Sequence, residues 1–389
     1  MTKVLHITPK PFLPKTDGGC VAMSAFHQLL KNAGYTVFWA TLSTEKHPLY
    51  PDQLTNEISL TPAHVRVTTA PRITGLIRSL FSETPYWLKR FYSIDFQNKI
   101  RNTIATYQPD IVIIEGLQLA PYLPALKKSG CKLFLRTHNI ESDLWDEQLS
   151  TMGGIKRLSA QLSVKGLRSY ENTIFNEVDG IIAISPKEVE YVTTVAPNTP
   201  VVHIPTTIPT RQESSPFSHD FFHLGAMDWE PNKAGVSWFI NQVWTSFIHT
   251  ESSSVLHLAG RKLASDLFSS VKKVVNHGEV NDSSEFMIRH GIMIVPVFQG
   301  SGIRIKILEA GSMGIPVIAT PKAVEGLGLI PDKHFLQAST EAEFIMQMKR
   351  LIASPPLYTE LGLALKEYLN KNYSADALKE KLYEFIGKA

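Results

Sequence analysis

The chain has 389 residues, too many for one ordinary hydrophobic core and enough for two. Its 39 basic and 36 acidic residues leave a net charge of +3, so composition makes no global case for a nucleic-acid partner, and any basic patch has to be local. The two cysteines, Cys20 and Cys131, match no metal-ligand spacing and are expected to be small buried hydrophobes rather than a disulfide.

In chain order, the first expected strand, 3–7, runs straight into Pro9 and Pro11. The residues around it hold no apolar stretch long enough for a signal peptide or a membrane span, and the expected location is the cytoplasm. A helix over about 20–33 comes next, with Ala22, Ala25, Phe26, Leu29, Leu30 and Ala33 on its inner face and Gly34 as its stop. Strands are expected at 35–41, 111–114, 132–135 and 180–184, with helices between them. The segment 71–92 interleaves Arg72, Arg78, Lys89 and Arg90 with Ile73, Leu76, Ile77, Leu80, Phe81, Tyr86, Trp87, Leu88, Phe91 and Tyr92, against one acid, Glu83. Two readings stand side by side: a core-facing helix with solvated basic residues, or an interfacial helix that meets anionic lipid headgroups at the inner face of the membrane.

Pro197, Pro200, Pro205, Pro209 and Pro216, among many Thr and Ser, mark 196–218 as linker and hinge. A second block then repeats the alternation at 221–224, a Trp-rich helix near 236–247, and 255–258, 271–276, 292–296 and 316–319. Such alternation implies parallel sheets covered on both faces. Three helices, 341–353, 356–370 and 374–386, end the chain.

The most informative stretch is Gly300-Ser301-Gly302-Ile303-Arg304-Ile305-Lys306-Ile307-Leu308-Glu309-Ala310, followed by the apolar run from Ile315 to Ala319. It reads as a glycine loop, a helix and a buried strand. The backbone N–H groups of Gly302 and Ile303 are expected to open the helix at the carboxyl end of a parallel sheet, where a nucleotide diphosphate would bind. Apolar residues around most of the helix imply that it is buried. Arg304, Lys306 and Glu309 would then be buried charges, which are rare unless paired or bound to something. Lys306 and Glu309, three apart, could also simply pair with each other.

These residues resemble glycosyltransferase family 4, with its GT-B fold of two Rossmann-like parallel-sheet domains facing each other across a cleft. The resemblance rests on the loop and helix above and on three further segments of the second block: His223 to Lys233, Leu258-Ala259-Gly260 and His277-Gly278-Glu279-Val280. In the first block it rests on Asp17-Gly18-Gly19 and Arg136-Thr137-His138-Asn139-Ile140-Glu141. It implies an acceptor-side domain over 1–205, a nucleotide-sugar domain over 206–370, and a C-terminal helix over 371–389 that crosses back to the first domain. By the same resemblance Glu309 binds the donor ribose, Lys233 the phosphates, and Gly18 and Gly19 form a loop against the diphosphate; His138 lies near the reacting sugar. Lys306 and Arg304 add charge for the leaving group. Gly300, Ser301, Gly302 and Ile303 complete the donor loop.

Two positions depart from the family pattern. Serine, at 301, stands where the first Glu of Glu-x7-Glu belongs, so Ser301 and the amides of 300–302 would read the sugar. Ala226 and Met227 replace the arginine expected after Gly225, leaving Arg304 or Arg261 to supply that charge. The implied reaction is transfer of a sugar, with retention, from a nucleotide diphosphate to an acceptor hydroxyl in polysaccharide or glycoconjugate synthesis. The acceptor would be a glycan, a lipid-linked glycan or a protein. The candidate residues contain no Asp-x-Asp cluster, so neither a metal nor another cofactor is expected. A nucleotide-sugar epimerase of the same fold, or a non-catalytic nucleotide-sugar or glycan-binding protein, are the alternatives. A nicotinamide dehydrogenase is disfavoured, because no strand-linked Gly-x-Gly-x-x-Gly appears.

Overall fold

The computed structural model describes residues 2–15, 17–50, 63–71, 74–76, 82–209, 211, 215–251, 253–264, 267–268, 270–300 and 302–388. The chain divides into two compact units, one of residues 1–207 with 378–389 and the other of 208–377.

The first unit is built on seven parallel strands: β1 (Lys3–Thr8), β2 (Thr36–Ser43), β3 (Ala63–Arg66), β4 (Ile111–Glu115), β5 (Lys132–Arg136), β6 (Gly180–Ala183) and β7 (Val201–His203), in the order β3-β2-β1-β4-β5-β6-β7. The central strands read as unbroken apolar runs because helices cover both faces; every residue of β4 and β6 is buried. Helix Gly18–Asn32 starts where the Asp17 carboxylate accepts from Cys20 N and ends before Gly34, whose φ of +88° suits a residue without Cβ. Its inner face carries Ala22, Phe26, Leu29 and Leu30 as expected, while Ala25 and Ala33 are only half-buried.

The second unit has six parallel strands: β8 (Phe221–Leu224), β9 (Leu256–Ala259), β10 (Val274–Asn276), β11 (Ile292–Val295), β12 (Val317–Ala319) and β13 (Leu336–Gln337), in the order β10-β9-β8-β11-β12-β13. The Trp-rich helix is longer than expected: Glu230–Trp238, a π-helical stretch Phe239–Trp244 and Thr245–Thr250 run on from one another. Trp244 is fully buried and donates its indole N–H to Lys272 O at 3.0 Å. Helix Glu341–Ala353 opens on a Thr340/Glu343 capping box. The last helix, Ala375–Lys388, follows the second unit in sequence, but its residues from Leu378 onward belong to the first, where Phe385 packs edge-on against Phe134.

Several expectations are corrected. The segment 196–218 is not linker throughout, since Val201–His203 within it is an edge strand paired in parallel with β6. The strand expected over 271–276 begins only at Val274, after Lys273 adopts a φ of +60°. Edge strands β3 and β13 were not anticipated; at four and two residues they are too short to set a period. Cys131 is only half-buried, whereas Cys20 is fully buried as expected. In the 71–92 segment, Arg72, Ile73, Ile77, Arg78, Leu80 and Phe81 lie outside the described residues. Of the rest, Tyr86, Trp87 and Leu88 are buried, and Arg90 donates to Thr69 O at 2.8 Å. No described helix is long and apolar enough to cross a membrane.

Candidate functional site

In the second sheet the strand order reverses between β8 and β11, and the carboxyl ends of the strands at such a reversal are where parallel α/β sheets bind their ligands. Glycines let the backbone crowd here. A Cβ on Gly260, at φ +147°, would lie 1.8 Å from Gly225 O, and one on Gly235 would lie 1.9 Å from Pro296 O. The second approach seats helix Glu230–Trp238 directly on the loop after β11. Lys233 is exposed on that helix. His223 at the end of β8 donates from Nδ1 to Ile294 O at 2.9 Å. Burial pushes it down to about 4, so it is a neutral structural ring at pH 7.

The loop after β11 folds back onto the loop after β8. A Cβ on Gly300, at φ +92°, would meet the Trp229 ring at 2.8 Å. The Arg304 guanidinium lies over that ring, 4.8 Å from its centroid, and donates to Gly300 O at 2.8 Å and to Gly302 O. Gly300, Gly302 and Arg304 thus form one unit with Trp229, a residue that sequence reasoning left out of the site. The other candidate for the missing arginine, Arg261, pairs with Asp228 at 3.1 Å. Ser301 lies outside the described residues.

The helix after this loop is Ile305–Ser312, with Arg304 as its N-cap, so Gly302 and Ile303 precede it rather than open it. Ile305, Ile307, Leu308 and Ala310 are buried, as expected. The three charges are not. The side chains of Lys306 and Glu309 are 40% and 24% exposed and pair at 2.7 Å, because positions three apart share the one edge of this short helix that faces solvent. The carboxylate is therefore accessible, already poised by a cation, and able to accept from neighbouring hydroxyls.

In the first unit the reversal falls between β1 and β4. After β1, Gly18 and Gly19 are not a loop but the first turn of helix Gly18–Asn32, where backbone N–H groups have no intrahelical partner. A Cβ on Gly19 would stand 3.3 Å from both Lys10 Nζ and Asp17 Oδ1. Burial would raise the Asp17 carboxyl, but Lys10 at 2.6 Å outweighs it and holds Asp17 well below the usual carboxylate range.

His138 follows β5, and its Nε2 lies 2.5 Å from Glu115 Oε2. Glu115 ends β4, is fully buried, and is paired in register with Arg136 at the end of β5. Arg136 Nη1 donates to it at 3.0 Å, and His6 Nε2 approaches its other oxygen at 2.8 Å. Burial alone would raise the Glu115 carboxyl; Arg136 and then His138 reverse this and hold it well below the ordinary value. Arg136 stacks over Phe26, and its Nε and Nη2 have no hydrogen-bond partner among the described residues. His6 in turn contacts His27, whose ring burial and then His6 push down to about 3. Glu115 and His6 escaped sequence reasoning. The signal available was a carboxylate closing an otherwise apolar strand, Ile111-Val112-Ile113-Ile114-Glu115.

Beside His138, Glu141 begins helix Glu141–Thr151, its backbone N–H bound by Glu171 at 2.7 Å. Burial, and then the Glu171 charge, raise the Glu141 carboxyl to about 8, with Gln118 donating to it at 3.2 Å. A raised folded-state value means that stability is fully present below the unfolded value near 4.5 and is lost as pH rises towards 8. Glu141→Gln keeps the shape and one acceptor, so it is expected to stabilise the chain at pH 8 by about 1–3 kcal/mol and to flatten the decline between pH 5 and 8. Chemical denaturation at several pH values measures this.

Comparison with known proteins agrees with the two-sheet fold. A model described as "Glycosyltransferase Family 4" matches residues 21–212, and one described as "Glycosyl transferases group 1" matches 218–354. An "Uncharacterized 44.6 kDa protein in cps region" of Klebsiella pneumoniae is 21% identical over 407 residues, covering 99% of this chain and all of the relative. Among solved structures, sucrose-phosphate synthase of Thermosynechococcus elongatus superposes with a TM-score of 0.70 at 14% identity, over 100% of this chain and 99% of that one. Anabaena HepE in complex with UDP-glucose superposes with a TM-score of 0.67 at 11% identity, over the whole of both chains. Matched by these models in both its halves and folded as two parallel Rossmann-like sheets, the chain belongs to the family 4-type glycosyltransferases of the GT-B fold.

Proposed function

We propose that this glycosyltransferase takes its sugar from a nucleotide diphosphate bound at the carboxyl ends of β8 and β11 and passes it, with retention, to a glycan hydroxyl. The observation that carries the reading is the Lys306–Glu309 edge: a partly exposed carboxylate on the helix that follows a glycine loop pinned by Arg304 and Trp229. In this reading Glu309 receives the ribose hydroxyls. Lys306 turns from Glu309 to the departing diphosphate, joined by Lys233, Arg304 and the amides of 300–303, with the backbone N–H groups of Gly18 and Gly19 as further hydrogen-bond donors to an anion. The chemistry needs a stabilised leaving group more than a strong nucleophile, since developing charge on the diphosphate dominates the transition state. These fixed cations and dipoles do that without a metal. His138 acts near the reacting sugar, and Glu115 holds the ring by its Nε2. A role in polysaccharide synthesis is supported by the relative described as lying in a cps region.

The test is a panel of nucleotide sugars. A true donor raises the melting temperature by mass action, and a bacterial glycan fraction then accelerates release of the nucleoside diphosphate, followed by HPLC. Conversion of the donor to another nucleotide sugar without acceptor would favour an epimerase. Binding without turnover over many acceptors would favour a non-catalytic protein.

A further inference from the structure

We propose that His257, His277 and His290 form a binding site for one transition-metal dication of the zinc class. The three come from separate elements of the second unit. His257 lies in β9, His277 directly follows β10, and His290 ends helix Ser283–His290. One ring nitrogen of each lies within 4.8 Å of the other two, and His257 Nδ1 is 2.9 Å from His277 Nε2. Zinc–imidazole bonds of about 2.0–2.1 Å in a tetrahedral site place ligand atoms roughly 3.4 Å apart, a spacing within the range these nitrogens span. The main adjustment is between His257 and His290, whose rings stack with centroids 3.7 Å apart and have to splay to aim at a common point.

The surroundings match what a metal-bound imidazole requires. The other nitrogen of His257, Nε2, lies 3.7 Å from Asp220 Oδ2, and Asp220 is itself fixed by Val255 N, which donates to Oδ1 at 2.9 Å. A carboxylate behind the non-ligating nitrogen is the usual device for orienting a histidine ligand. Burial lowers all three rings, and His290, pushed further by His257, His277 and Arg289, reaches about 4. At pH 7 the rings are therefore neutral, with lone pairs to offer. Arg289 opposes an incoming cation and Asp220 offsets it. His290 is buried while His277 is exposed, so an ion has an inner anchor and an open way in. The other cluster of potential ligands among the described residues, Asp17, Cys20 and His47, is a poorer choice because Lys10 already occupies the Asp17 carboxylate. Gly278 O accepts from Gly260 N at 2.8 Å, so a metal on His277 would pin the 277–280 segment to the end of β9.

The test is isothermal titration of the chelator-stripped full-length chain with Zn²⁺, repeated with Co²⁺ to read the visible bands of tetrahedral coordination. Wild type is expected to bind one equivalent with a Kd of about 1 μM or below, and His277→Ala, a change at an exposed side chain, to weaken binding at least tenfold. Asp220→Asn is expected to weaken it about 10–100-fold through the lost orienting carboxylate, and His47→Ala to leave it unchanged. Lack of saturable binding by wild type, binding by His277→Ala within about twofold of wild type, or loss of binding in His47→Ala would each overturn the site.

Discussion

Glu115→Gln is expected to destabilise the chain by about 3–5 kcal/mol, the usual cost of removing one partner from a buried ion pair and leaving the other charge uncompensated. Arg136 is fully buried, Glu115 is its hydrogen-bonding partner, and two of its nitrogens have none among the described residues. Chemical denaturation measures the loss. The double variant Glu115→Met with Arg136→Met is expected to recover most of the stability, because a buried pair replaced by packed apolar atoms is often neutral. It should not recover activity. His138 would still lack the carboxylate at its Nε2, and a proton-handling group so released is worth about 10²-fold or more in turnover. The pH dependence carries the same signature. Because the folded Glu115 carboxyl lies below its unfolded value, the stability it contributes is present above about pH 5 and is lost as pH falls. The acid limb of wild type should accordingly be steeper than that of either variant. Recovery of both stability and turnover in the double variant would mean that Glu115 serves only Arg136.

Glu309→Gln is expected to weaken donor binding by about 1.5–3 kcal/mol, roughly 10–150-fold in Kd, through loss of charged hydrogen bonds to the ribose. Stability should hardly change. The Lys306–Glu309 pair is 40% and 24% exposed, and partly exposed pairs three apart on a helix contribute only about 0–1 kcal/mol. The two magnitudes separate the functional reading from the structural one. Titration calorimetry with the nucleoside diphosphate, alongside denaturation of both proteins, makes the comparison. Equal affinities would leave Glu309 as the surface partner of Lys306 and nothing more.

Much of the architecture was legible because both sheets are parallel and covered, so that strands such as Ile111–Glu115 and Ile292–Val295 stand out as unbroken apolar runs between helices. The edge strands were not. Val201–His203 sits among prolines that read as linker, and only its pairing with β6 identifies it. The glycine loop and Glu309 were visible as spacing, but their exposure was misjudged: four buried apolar residues in an eight-residue helix still leave one solvent-facing edge, and that edge holds the charges. Contacts made across sequence were harder. Glu115 meets Arg136 because β4 and β5 pair in one particular register, and Arg304 meets Trp229 because two loops converge at a reversal of strand order. Neither pairing is a property of one segment, and a single sequence contains no period that reports it.

The central claim is that a nucleotide diphosphate binds at the carboxyl ends of β8 and β11. Hydrogen–deuterium exchange of the full-length chain with and without UDP tests it most directly, because the loops and helix starts in question would become protected on ordering around the ligand. The expected result is slower exchange confined mainly to 225–233 and 296–309, abolished by Glu309→Gln at the same UDP concentration. Protection elsewhere in the second unit with these two segments unchanged, or no protection at saturating nucleotide, would contradict the assignment.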